Sequence, residues 1–367
     1  MMAELVTEAP GRASQPLRFA DRQLVPSVHV EFVNAAAGCS ACDDSGIIHA
    51  FWAPLATPPP GQPPGVLQRP MLYLSGPPDA LAVRNIGAHG QPLAAAADAG
   101  TVYLLYAKDR SVRLAKVLAD GTFEQDQALS NHQSIEGTLV ADQGGWWAAW
   151  TESRSGKLFH ARGGWGNVDS PREPVTSELA NVLAYGSPSL ALGLRNPDDP
   201  ADRWIYLAWE MTLKSAAKAR LARMQVQAPG WVEHAWLPNP SAHGAISSPA
   251  LAYDGALQAA FENQGGVSFM LNPSHTATAH RLAATHGGIP KIAASGGRTV
   301  VAWISDHSTA VSPPRYDLCV AGPAGPPVKL ATHSRYLDIV GLTSHAGKAA
   351  LLTFEDQANL YIRIQTT

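Results

Sequence analysis

Seven times along the chain, a run of small apolar residues passes through a Gly- or Asp-containing turn into a hydrophobic strand that ends on an aromatic. The seven aromatics are Trp52, Tyr106, Trp150, Trp209, Phe261, Trp303 and Phe354, separated by 54, 44, 59, 52, 42 and 51 residues. Helical periodicity is nearly absent. A period of about fifty residues in an all-β sequence is the signature of a propeller, one four-stranded blade per period. The second repeat shows the grammar. Pro92–Ala97 is a strand of small residues suited to the crowded axis, and Asp98-Ala99-Gly100 is a turn. Thr101–Tyr106 is a β-branched and aromatic run, Arg113–Val117 alternates as a half-buried strand does, and Thr122–Leu129 is a polar outer strand.

The fold class expected is therefore all-β: a seven-bladed β-propeller with four-stranded antiparallel blades. The blades fall at about 26–86, 87–131, 132–184, 185–242, 243–285, 286–332 and 333–367, within one domain over 1–367. The last repeat ends after its third strand, while spare strand-like residues precede the first, at 17–25 or 29–33. An N-terminal strand completing the last blade closes the ring and leaves no open edge. Residues 214–224 have helix-forming composition but read as the run into a third strand, and the Pro-rich stretch 58–64 reads as a loop inside the first blade.

Composition excludes some partners. The net charge is −3 and charged residues make up 16% of the chain, with no Lys/Arg run, so no nucleic-acid partner is expected. No stretch of about eighteen apolar residues occurs, so no membrane partner is expected. The first eighteen residues lack an apolar signal core, and the expected location is cytoplasmic, or exported without a recognisable signal peptide. The three cysteines, Cys39, Cys42 and Cys319, read as small core residues, with a disulfide or metal role for the lone CxxC as the alternative.

A second regularity bears on function. A His recurs just ahead of the innermost strand: His89, His132, His243, His286 and His333, five of thirteen, with Tyr185 in the fourth blade. Acidic residues recur just past the marker aromatics: Asp109, Glu152, Glu210, Glu262, Asp306 and Glu355. In a propeller both positions open on one face, around the mouth of the central channel. Imidazoles and carboxylates around such a funnel can bind a polar ligand, do acid/base work, or hold a metal. The competing reading is structural, because each blade needs the same bracket. No cofactor is required by the sequence, and a His-bound metal is one option. Trp146, Trp147, Trp165, Trp231 and Trp236 read as packing or as sugar-stacking faces; Arg154, Arg195, Arg203, Arg315 and Arg335 lie near loops. The acidic segment 196–202 lacks calcium-loop spacing and reads as a solvated turn on the opposite face.

Three phrases, Cys42–Trp52, His89–Gly100, and Ser187–Leu192 with Trp204–Glu210, resemble those that open blades in BNR-repeat, sialidase-like propellers. That superfamily includes polysaccharide lyases and sugar-binding propellers, so the resemblance implies a glycan ligand. The Ser-x-Asp-x-Gly-x-x-Trp box and an arginine triad are missing, which sets a true sialidase aside. Two readings follow. One is an enzyme acting in the His-lined funnel on a carbohydrate or similarly polar small molecule by lyase-type acid/base chemistry. His243, His286, His333, Tyr185, Tyr336 and Arg335 would then be catalytic, and His89, His132, Glu152, Glu210, Glu262 and Asp306 ligand-binding. The other is a non-catalytic carbohydrate-binding propeller or a protein-interaction scaffold.

Overall fold

A computed structural model describes residues 17–25, 33–56, 70–153, 155–164, 168, 170–174, 182–196, 198–214, 217–227, 230–237, 245–273, 277–283, 285–309, 314–334, 337–355 and 359–366. These residues form seven four-stranded antiparallel sheets, each in simple sequential order save the last, and contain no helix. The innermost strands are Val33–Cys42, Gln91–Asp98, Ser134–Asp142, Val182–Leu194, Ile246–Tyr253, Gly287–Ser295 and Leu337–His345. The chain is a seven-bladed propeller. The residues after Lys214 do run into a strand, Ala217–Gln225, the third of the fourth blade. The Pro-rich stretch 58–64, Trp165, Arg154 and Arg335 lie outside the described residues.

The last sheet runs Phe19–Val25, Asn359–Gln365, Lys348–Glu355, Leu337–His345. Phe19 faces Gln365 and Gln23 faces Tyr361, and the Thr366 amide donates to the Arg18 carbonyl at 2.9 Å. The N-terminal strand thus completes the seventh blade by pairing the outer edge of Asn359–Gln365.

Packing between blades explains the repeating phrase. All seven marker aromatics are at most 1% exposed. They point into clusters built by two neighbouring blades: Trp52 of the first blade meets Phe354 of the seventh at 5.3 Å, inside one shared apolar cluster. Burying each such ring stabilises the fold by about 1.5–3 kcal/mol. Near the axis the spacing is too tight for large side chains. Gly193 on the fourth innermost strand lies against the Tyr253 ring of the fifth, so a Cβ there would collide with it. The Tyr253 hydroxyl donates to the Leu194 carbonyl at 2.7 Å and fixes that ring. Trp146 and Trp147 are buried in these cores rather than displayed. Cys39 is buried, and Cys42 and Cys319 are half-buried; all three are free thiols.

Candidate functional site

Antiparallel order sets the two faces. Turns from first to second strand open on one face. Connections from second to third strand, and from an outer strand to the next blade, open on the other, and the recurring His and acidic positions belong to that second face. Its local architecture begins with a bulge. Every innermost strand slips register against its neighbour near its start, for example between Gly186 and Ser189, Ser247 and Ala250, and Gly288 and Lys291. In three blades the bulge holds a residue in the left-handed region directly before a proline: Ser187 (φ 46°), Ser248 (φ 48°) and Ile289 (φ 47°).

Each of these three backbone N–H groups donates to a carboxylate of the preceding blade. Ser187 N donates to Glu136 Oε2 at 2.5 Å, Ser248 N to Glu210 Oε2 at 3.1 Å, and the Ile289 amide to Glu262. An amide bulged out of its ladder needs an acceptor, and the acid supplied by the neighbouring blade is that acceptor. Glu210 and Glu262 therefore join blades. Glu136 does the same work, although no repeat-based signal marked it, because it sits on an innermost strand outside the acid register.

Of the other acids, Glu152 and Glu355 stand on strand ends and Asp109 in a turn. Glu152 is buried and accepts from Ser130 Oγ at 2.8 Å. Asp109 (φ 49°) and Arg110 (φ 63°) form a tight two-residue hairpin turn. Glu355 is buried beneath His333, whose Nε2 lies 2.7 Å from Glu355 Oε2, and it also binds Arg363 and Thr353. Burial alone would raise the Glu355 carboxyl, but His333, Arg363 and Thr353 outweigh it and hold it down at about 2.

The remaining positions scatter. His132 is exposed, and its backbone N–H donates to Ser130 Oγ at 3.1 Å. Tyr185 packs beside Trp209 and Met211, its hydroxyl buried with no hydrogen-bond partner among the described residues. His89 ends a strand opposite Pro70, its side chain outside the described residues. His243, Arg335 and Tyr336 also lie outside them. The acidic segment 196–202 is a surface turn in which Asp202 Oδ1 accepts from Trp204 Nε1 at 2.6 Å.

One cleft of about 460 Å³ on this face does gather predicted residues, over blades five to seven. Glu262, His286, Lys291, Asp306, Tyr316 and Asp338 supply its polar groups, while Ile289, Ile304, Leu337 and Ile339 supply an aliphatic wall. His286 Nδ1 lies 3.0 Å from the Asp306 carbonyl oxygen, which can only accept, so Nδ1 carries a proton. In the neutral ring this leaves Nε2 with its lone pair. The His286 ring sits 4.9 Å from that of His307, whose Nε2 is 3.3 Å from Asp317 Oδ2. Asp317 is buried and also takes Thr332 Oγ1 at 2.6 Å and Arg315 Nη2 at 3.3 Å. His307 and Asp317 carried no repeat signal; they belong to the sixth blade alone. Burial, and then the charge of Glu210, raise the Glu262 carboxyl against the opposing bonds from Ser247 and Ile289. Asp306 is lowered, chiefly by its bonds from Ser308.

No three His, Cys, Asp or Glu side chains converge as a metal ion needs among the described residues. A larger cavity of about 760 Å³ lies on the opposite face. Its acceptors are engaged internally: Asp254 Oδ2 takes the Gly297 amide at 2.6 Å and Gln258 Oε1 takes Thr299 Oγ1 at 2.5 Å. The cleft over blades five to seven is the candidate site.

No protein-family profile and no curated protein matches the chain. Solved structures do. A phage phi92 endosialidase is similar at a TM-score of 0.53 and 9% identity, over 95% of this chain and 69% of that one. An Aleuria aurantia lectin mutant, solved with Fucalpha1-6GlcNAc, is similar at 0.50 and 12% identity, over 88% of this chain and 98% of that one. A chain of a mitotic checkpoint complex is similar at 0.50 and 10% identity, over 99% of this chain and 98% of that one. At such identities the likeness is one of fold. The resemblance to BNR-repeat, sialidase-like propellers holds as propeller architecture, and no family match carries it further.

Proposed function

We propose that this protein is a ligand-binding propeller that takes a carbohydrate, or a similarly polyhydroxylated small molecule, in the cleft over blades five to seven. The observation that carries this reading is the composition of that cleft. Carboxylates, an imidazole with its Nε2 lone pair, an ammonium and a phenol surround an aliphatic wall in one concavity. Hydroxyl groups both donate and accept, so a sugar can use acids and base together. Fold-level likeness to a lectin and an endosialidase supports the carbohydrate class by analogy.

Titration against a glycan array and then in solution tests the reading. Asp306 and Lys291 are both exposed, so Asp306→Asn and Lys291→Ala are expected to leave the fold intact. Each is expected to weaken binding about tenfold, the worth of one charged hydrogen bond. Saturable binding that ignores both changes would move the site elsewhere, and no binding to any glycan would end the carbohydrate reading.

A second reading, acid/base catalysis in the same cleft, is favoured by Glu262. A half-buried carboxyl held above its usual range is suited to proton transfer. Release of reducing ends or of an unsaturated uronate from a bound oligosaccharide, abolished by Glu262→Gln, would make this protein an enzyme. Binding without turnover leaves it a lectin-like module.

A further inference from the structure

Three blades share one device: a bulge residue in the left-handed region, a proline after it, and a neighbouring blade's carboxylate on its amide. Two of the three bulge residues are Ser187 and Ser248, small, polar and half-buried. The third is Ile289. A β-branched side chain is the poorest choice for a positive φ, and a residue before proline is already sterically restricted. Ile289 also gains little burial in return, since it is 64% exposed. A lone exposed apolar residue is unremarkable on most surfaces. Here the same position combines local strain, exposure and a place in the wall of the candidate cleft. Strain held in place by a clamp, with an exposed apolar side chain at its tip, points to a role for that side chain outside the folded chain.

We propose that Ile289 is the specificity-determining residue of the cleft, and that the ligand carries an apolar substituent that packs on it. The inference rests on the carbohydrate reading and narrows it to a sugar with an acyl or deoxy position. Such a group presents methyl carbons to Ile289 above the buried Leu337 and Ile339. Its hydroxyls, or an amide, are left to Asp306, Lys291 and His286. The bulge presents the side chain outward because the clamp from Glu262 fixes its backbone, so no induced movement is needed to display it.

Matched glycan pairs that differ at one ring position test this: chitotetraose against cellotetraose, which differ at C2 of each unit, for an N-acyl group, and D-fucose against D-galactose for a deoxy carbon. Arrays with further matched pairs widen the set. The unaltered protein is expected to prefer a substituted member by about 10–200-fold, the range for one apolar group in a fitted pocket. Ile289→Ser, which restores the residue of the two equivalent bulges, is expected to erase that preference. Its melting temperature should be equal or higher, because a serine is less strained there than a β-branched residue and little packing is lost. Ile289→Val should keep part of the preference. Binding with no preference, or a preference unchanged in Ile289→Ser, overturns the assignment while leaving the carbohydrate reading standing. A lower melting temperature with unchanged binding makes Ile289 a packing residue. No binding to any pair overturns the carbohydrate reading and the inference with it.

Discussion

Glu355 and Arg363 are each 2% exposed and face one another inside the closing blade, with Thr353 between them and His333 above. Removing one partner of a buried ion pair leaves the other charge without compensation. Glu355→Gln is therefore expected to destabilise the protein by about 3–5 kcal/mol, read in a denaturant melt. The pH dependence has a definite sign. The Glu355 carboxyl titrates at about 2 in the folded chain against 4.5 when unperturbed, so its ionised form favours folding. That contribution is full above about pH 5 and fades as pH falls towards 2. Urea midpoints at pH 6 and pH 3 should differ more for the unaltered protein than for Glu355→Gln. The sequence could place Glu355, Glu210 and Asp306 at equivalent strand ends, because the repeat supplies that register. It could not tell them apart. One meets a buried Arg, one a neighbouring amide and one the cleft, and these outcomes depend on side-chain direction and on residues far away in the chain. The same holds for the histidines: His286 and His333 occupy one repeat slot, yet one lies exposed in the cleft and the other covers a buried acid.

At the scale of the element, the bulge on each innermost strand is the recurring unit, and its carboxylate clamp couples one blade to the next. Ser187 is held by Glu136 across the third and fourth blades. Glu136→Ala removes the acceptor from a half-buried amide and is expected to cost about 1–3 kcal/mol, whereas Glu136→Gln keeps an acceptor oxygen and should cost less. Equal effects of the two changes in thermal melts would show that the bond is not what joins these blades. The strands themselves were legible. Small residues near the axis, β-branched and aromatic runs next, and Gly or Asp turns between them all follow from local sterics and period-two burial. The bulges were not legible, because the single extra residue of each sits near a strand start, where too few alternating positions precede it to show the change of phase. The Ser-Pro pairs at 187–188 and 248–249, with Ile-Pro at 289–290, were the one sequence trace of them.

The whole ring depends on pairing between its two ends. Phe19–Val25 is the fourth strand of a blade whose other three strands come from the end of the chain. Deleting residues 1–25 leaves the Asn359–Gln365 edge open, and the expected result is a lower melting temperature with light scattering from edge-to-edge association. An unchanged melting temperature and no scattering would show that the seventh blade is stable with three strands. This closure was visible in the sequence, since the last repeat lacks a strand and the first residues supply one. The contact between Thr366 and Arg18 joins residues 348 positions apart. A growing chain adds roughly 5–20 residues per second, so the first strand waits on the order of half a minute for its partner to be made. Six blades can form from local hairpins in that interval, but the seventh cannot. Its completion carries the largest loop-closure cost in the fold and comes last. During that wait the N-terminal segment is an unpaired strand, open to a neighbouring chain on the same message. The order in which its ends become available is thus a constraint on folding separate from the stability of the finished ring.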